Sequence, residues 1–272
     1  MSVGCRNNVQ ARGKGAVTMV FSHGFGCDQN MWRFLAPRYK ETFRTVLFDL
    51  VGSGSSDLSA YDRGKYDSLL GYADDTLEII DAFAEGPVIF VGHSVSTMIG
   101  LLAAIKRPEC ISAHVMVGPS PCYVNDGDYV GGFTRADIDT LLETLENNYL
   151  GWSHVMAPRI MGAPGQPHLA DELANSFCRT DPDIAAHFAR VTFLSDNRTD
   201  VPRLAAPTLV LQCSDDIIAP RSVGDYLERR LPRGTLREVE NVGHCPHMSA
   251  PAQCIEHMDA FLSTLGLGRG GN

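Results

Sequence analysis

Apolar residues fall along this chain in two alternating rhythms. Short runs at residues 17–22, 44–50, 87–92, 113–118, 207–213 and 235–240 are continuous in Val, Ile, Leu, Met and Phe or nearly so, and are bounded mostly by Gly, Pro, Ser or Asp. Runs of that kind read as strands covered on both faces. Between them lie longer stretches with a helical period. In residues 66–84, Leu69, Leu70, Ala73, Leu77, Ile80 and Phe83 recur at three- and four-residue spacings opposite Asp74, Asp75, Glu78 and Asp81, which gives one apolar stripe to lay on a sheet. The alternation predicts an α/β fold, a mainly parallel sheet with helices on both faces.

The rhythm breaks from about residue 119 to 202. No strand pattern occurs there, only helical stretches such as 135–150 and 183–194. So long an interval is not a plain loop in a compact domain. It predicts a helical cap inserted into a single domain whose core is 1–118 and 203–265, with 266–272 as a frayed tail. The cap carries Phe133, Tyr149, Trp152, Phe177, Phe188 and Phe193. Most of these are expected to pack cap helices together, and some to face a ligand.

Composition narrows the function. The 272 residues are 44% hydrophobic and 20% charged, with a formal net charge of −9. That balance is ordinary for a globular domain, and it opposes binding to phosphate backbones or anionic lipid, which need clustered Lys and Arg. A neutral or small organic ligand suits it better. No apolar run approaches the ~20 residues of a bilayer span, and the first residues hold no signal-peptide core, so a soluble, cytoplasmic protein is expected. The 8 Cys form no C-x-x-C pair. That points to buried reduced thiols rather than a zinc or redox site, and no metal or cofactor is called for.

The chemistry begins at Gly92-His93-Ser94-Val95-Ser96, between a predicted strand and a helical run. A serine on such a turn projects its hydroxyl above the carboxyl end of a sheet, beside the backbone donors of a helix N-terminus. The usual pattern is G-x-S-x-G. Ser96 stands in the last position and is small enough to keep the close packing. Two further elements follow, each leaving a predicted strand: Asp215-Asp216, then Gly243-His244. Ser, Asp, His is the order of α/β-hydrolase triads. A hydroxyl needs an imidazole to take its proton, and the imidazole needs a carboxylate to hold its tautomer. His244 follows the loop glycine and is preferred over His247; either aspartate could serve. The turn Ser22-His23-Gly24-Phe25-Gly26 can aim a backbone N–H at a developing oxyanion, with Phe25 and Val95 as the candidate donors.

These residues sit in longer blocks: GFGCDQNMW (24–32), LFDLVGSGSSDLSAYD (47–62), VGHSVSTMIG (91–100), VGPSPCYVND (117–126), LQCSDDIIAP (211–220) and GHCPHMS (243–249). With them the chain resembles the RsbQ-type bacterial stress-signalling hydrolases and their plant relatives, the strigolactone and karrikin receptors, over nearly its whole length. The resemblance implies an α/β-hydrolase fold with a four-helix lid over a hydrophobic pocket, Asp216 and His244 as the triad partners of Ser94, and Phe25 and Val95 at the oxyanion hole. Phe25, Tyr123, Phe133, Trp152, Met156, Phe193 and Ile217 are the expected pocket residues. It also implies slow hydrolysis of a small apolar ester or lactone, coupled to a protein partner, which in the bacterial branch is a PAS-domain phosphatase. Three readings therefore stand side by side: a signalling hydrolase, a ligand-binding signalling protein with little turnover, and a metabolic esterase, lactonase or cofactor-free haloperoxidase.

Overall fold

The computed structural model describes residues 2–267. Seven strands form one sheet: β1 (Gln10–Arg12), β2 (Thr18–Ser22), β3 (Arg44–Phe48), β4 (Val88–His93), β5 (Ala113–Val117), β6 (Thr208–Asp215) and β7 (Gly234–Val242). Their order is β1-β3-β2-β4-β5-β6-β7, with β1 antiparallel to β3 and every other pair parallel. Every residue of β2, β4 and β5 is buried, which is why these strands read as unbroken apolar runs instead of alternating ones. The predicted parallel α/β architecture is the one the chain adopts. β1 was not foreseen, because three residues are too few to show a period.

Eight helices of ten or more residues occur among the described residues: α1 (Leu69–Phe83), α2 (Val95–Lys106), α3 (Arg135–Asn147), α4 (Tyr149–Met161), α5 (Pro167–Cys178), α6 (Pro182–Phe193), α7 (Arg221–Arg230) and α8 (Pro251–Thr264). The stripe expected over 66–84 starts three residues later, because Tyr66 precedes the helix and donates its hydroxyl to buried Asp75 (2.7 Å). The stretch 135–150 is not one helix. Asn148 leaves helical geometry (φ −153°, ψ 68°), and its side chain accepts from the Gly151 N–H (3.0 Å). One asparagine thus ends α3 and caps α4. Helices α3 to α6 lie between β5 and β6 in the chain, and their apolar faces meet in a cluster that includes Leu142, Trp152, Leu173, Phe177 and Phe193. Residues 268–272 of the expected tail lie outside the described residues.

No described helix is long and apolar enough to cross a membrane.

Candidate active site

β4 ends at His93 and α2 begins at Val95, so Ser94 alone makes the turn, at φ 55° and ψ −125°. A side chain in that region costs about 1–3 kcal/mol and persists only where its surroundings over-determine it. Here the Ser94 N–H donates to Val117 O (2.9 Å), while Thr97 donates to Ser94 O from both N–H (2.9 Å) and hydroxyl (2.6 Å). Gly92 permits the turn: a Cβ there would lie 2.8 Å from the Ser96 carbonyl. Gly24 is needed equally, since its Cβ would come within 2.6 Å of His93 Nδ1 and 3.2 Å of Ser94 Cβ. The glycine turn after β2 is therefore pressed directly on the serine.

Ser94 Oγ lies 2.8 Å from His244 Nε2, and His244 Nδ1 lies 2.7 Å from Asp216 Oδ2. The second Asp216 oxygen accepts the N–H groups of Ile218 (2.8 Å) and Ala219 (3.1 Å). A buried carboxylate so placed accepts a hydrogen bond from Nδ1–H, which keeps the ring proton on Nδ1 and leaves Nε2 free to accept from serine. Sequence chemistry left Asp215 and Asp216 open, and the backbone separates them. The pairing of β6 with β7 is irregular between Cys213 and Asp215. Asp215 is left exposed while Asp216 is buried. On the histidine side, the Gly243 N–H donates to Asp215 O (2.8 Å), and Gly243 sits at φ 112° with any Cβ 2.0 Å from Met161 O. Only glycine can bring the loop this close to α4.

The glycine turn is braced by two side chains. Ser96 Oγ donates to His23 O (2.5 Å) and accepts from Ser22 Oγ (2.8 Å). The Leu50 N–H donates to His23 Nε2 (3.0 Å), which puts the ring proton on Nδ1, where it donates to Gly24 O (2.8 Å). Because a trans peptide is planar, fixing the Gly24 carbonyl on that side aims the Phe25 N–H the opposite way. Val95 supplies the first N–H of α2, which has no intrahelical acceptor. Sequence reading treated Ser96 only as small; its hydroxyl also ties the elbow to the turn.

Further imidazoles pack behind the triad. His93 Nε2 donates to His244 O (2.9 Å), and His247 lies between the rings of Trp32 (4.7 Å) and His93 (4.4 Å). Desolvation drives the pKa of His93 well below its ordinary value, with the neighbouring His247 and His244 adding to it, and desolvation takes His114 and His247 to about 3. The unfolded chain therefore binds protons that the folded one refuses. Stability from this source is complete above about pH 6.5 and is lost as pH falls toward 3. Each group adds a slope of up to ~1.4 kcal/mol per pH unit, so the three together should lower the urea midpoint steeply between pH 6 and 5, before carboxylates titrate. A midpoint flat over that interval would show that these rings are not buried neutral.

Ser94 and His244 line a narrow cavity of about 30 Å³. Of the expected pocket residues, Phe25, Tyr123, Trp152 and Phe193 line it; Phe133, Met156 and Ile217 do not. Ile217 is 40% exposed, because the turn that gives the Ile218 and Ala219 N–H groups to Asp216 directs Ile217 outward and Ile218 inward. Phe133 packs behind Tyr123, to whose carbonyl its N–H donates (3.1 Å), and Met156 lies partly buried against the cap cluster. Ile160, Leu173, Phe177, Thr192, Cys27 and Cys245 were missed as lining residues. For Leu173 and Phe177 the signal was present, since Leu169, Leu173 and Phe177 repeat at four-residue spacing. Burial pushes both cysteine thiols up, well above their ordinary range, so neither is a nucleophile at neutral pH. A wider surface cleft of about 990 Å³ runs between α1, α2 and α6, and no triad residue lines it.

Residues 19–257 match the model of the alpha/beta hydrolase family. Strigolactone esterase D14 of Arabidopsis thaliana is 38% identical over 94% of this chain and 96% of its own length. The karrikin insensitive 2 receptor CA of Petunia hybrida is 37% identical over 90% and 91%. A solved hydrolase from Oleispira antarctica superposes with a TM-score of 0.91 at 40% identity, covering 96% of both chains. With its sheet order, its strained serine elbow and these relatives, the chain belongs to the alpha/beta hydrolase family, in the branch that holds the strigolactone and karrikin proteins.

Proposed function

We propose that this protein is a serine hydrolase that cleaves a small apolar ester or lactone through an acyl-enzyme, with Ser94 as nucleophile, His244 as base and Asp216 as the group orienting that base. The unbroken hydrogen-bonded chain from Ser94 through His244 to Asp216, facing a largely apolar cavity, carries the reading. His244 Nε2 takes the Ser94 proton as Oγ attacks the carbonyl, and Asp216 stabilises the imidazolium. The Phe25 and Val95 N–H groups receive the oxyanion, each worth ~2.7–4 kcal/mol of barrier. The imidazolium then protonates the departing alkoxide, and water repeats the cycle on the acyl group, returning Ser94. Intact-mass detection of an adduct on Ser94 after a serine-directed fluorophosphonate tests the assignment. No adduct on a folded protein would remove it.

The same geometry favours slow turnover linked to signalling. The His244 N–H donates to Ile160 O in α4 (2.7 Å), and the Ala163 N–H donates to Val242 O (3.0 Å), so the loop holding the base is stitched to the cap. A ligand that displaces the cap disturbs His244, and acylation at Ser94 is felt in the cap. The cavity is narrow, about 30 Å³, so a bulky ester would enter with movement of the cap. We infer that a partner protein reads that movement and that the protein works in the cytoplasm, where its free thiols would stay reduced.

If the cap sets selectivity, Trp152→Ala or Phe193→Ala should shift kcat/KM among long and branched acyl esters by about tenfold or more, since even one methylene of fit in an apolar pocket is worth ~1–3 kcal/mol. Hydrolysis of 4-nitrophenyl acetate, which reports the triad, should change less. Equal proportional losses on every ester, with circular dichroism unchanged, would refute cap-based selection.

A further inference from the structure

One hydroxyl in the cavity wall has nothing to bond. Thr192, near the end of α6, is 1% exposed and lines the cavity of Ser94, and its Oγ1 is enclosed without a hydrogen-bond partner. A helical threonine ordinarily donates to the carbonyl four residues back, here Phe188, and this one does not. The adjacent Phe193 packs against Tyr123 (5.0 Å between centroids) and Phe25 (6.1 Å), which places Thr192 beside the aromatic wall of the cavity. Ser94 and His244, which share the cavity, are bonded to each other. An enclosed hydroxyl without a partner costs stability, and valine would fill the same space without that cost. A ligand that supplies the missing bond turns the cost into discrimination, because an analogue lacking the group leaves the hydroxyl unpaired.

We propose that Thr192 determines specificity, and that the preferred substrates are esters or lactones carrying a second hydrogen-bonding oxygen beyond the reacting carbonyl, selected over purely alkyl esters. The proposal rests on Ser94 being the nucleophile. Its test compares 4-nitrophenyl methoxyacetate, 3-methoxypropanoate and 4-oxopentanoate, each against the alkyl ester of equal length, in wild type, Thr192→Val and Thr192→Ser. At least one oxygenated ester should be preferred by about tenfold in kcat/KM, the scale of one recovered hydrogen bond. That ratio should collapse in Thr192→Val and survive in Thr192→Ser. Thr192→Val should also melt at a higher temperature than wild type. A preference absent in wild type, or one surviving in Thr192→Val, overturns the proposal, and so does a lower melting temperature, which would show that the hydroxyl is satisfied within the protein. Turnover of the alkyl esters and fluorophosphonate labelling of Ser94 separate the two levels. If both persist while the ratio is unmoved, only the role of Thr192 fails; if both are absent, the nucleophile assignment fails and takes this proposal with it.

Discussion

Ser94→Ala should lower ester hydrolysis by on the order of 10⁴–10⁶-fold, the range seen when single members of a triad are removed, and should melt within a degree or two of wild type. The two halves of the expectation have separate causes. In the proposed mechanism Oγ forms the acyl bond, and no neighbouring thiol would replace it, since Cys27 and Cys245 are held protonated by burial. Stability is spared because alanine meets the same positive φ as serine, and because the bonds that hold the turn are made by the backbone of residue 94 and the side chain of Thr97. His244→Ala should be comparably inactive, and the double variant no worse than either single one, since the pair acts as a unit. Initial rates on 4-nitrophenyl acetate, with melting curves for each variant, decide the matter. Wild-type turnover in folded Ser94→Ala, or a double variant far below both singles, would contradict a shared triad.

Why some of this was legible beforehand follows from how each feature is encoded. Strands β2, β4 and β5 are buried on both faces, so hydrophobicity alone marks them. The elbow was legible because Gly92 and Ser94 sit between a strand and a helix, and the spacing of Ser94, Asp216 and His244 follows from one such loop after each of three strands. What stayed hidden depends on three-dimensional placement. A strand of three residues such as β1 pairs because β3 offers an edge, and nothing in Gln10–Arg12 announces it. The break at Asn148 is a single φ/ψ choice inside a helical pattern. Ile217 and Ile218 are chemically alike, and only the direction of the turn after Asp216 decides which one faces the cavity. The second role of Ser96 needed the distance to His23 O, a contact across 73 residues of chain.

The two aspartates give the second large expectation: Asp216→Asn should lower kcat by about 10⁴-fold, the scale known for amide replacement in such a triad, while Asp215→Asn should stay within about twofold. The asymmetry follows from the bonds each side chain makes. Asp216 Oδ1 accepts the N–H groups of Ile218 and Ala219, and an asparagine satisfies those donors only with its carbonyl oxygen. Its amide NH₂ is then the group left facing His244 Nδ1. An NH₂ donates, so Nδ1 must become the acceptor, and the ring proton moves to Nε2, where it points at Ser94 Oγ. The imidazole is kept in place, in the tautomer that cannot take the serine proton. Asp215 makes no such contact: its side chain is exposed at the end of β6, and its backbone carbonyl, which holds Gly243, is untouched by the substitution. Parallel kinetics on the two variants, at a pH where both are folded, test this. A loss in Asp215→Asn equal to or larger than that in Asp216→Asn would transfer the orienting role to Asp215, and would mean that the loop after β6 rearranges before the base can work.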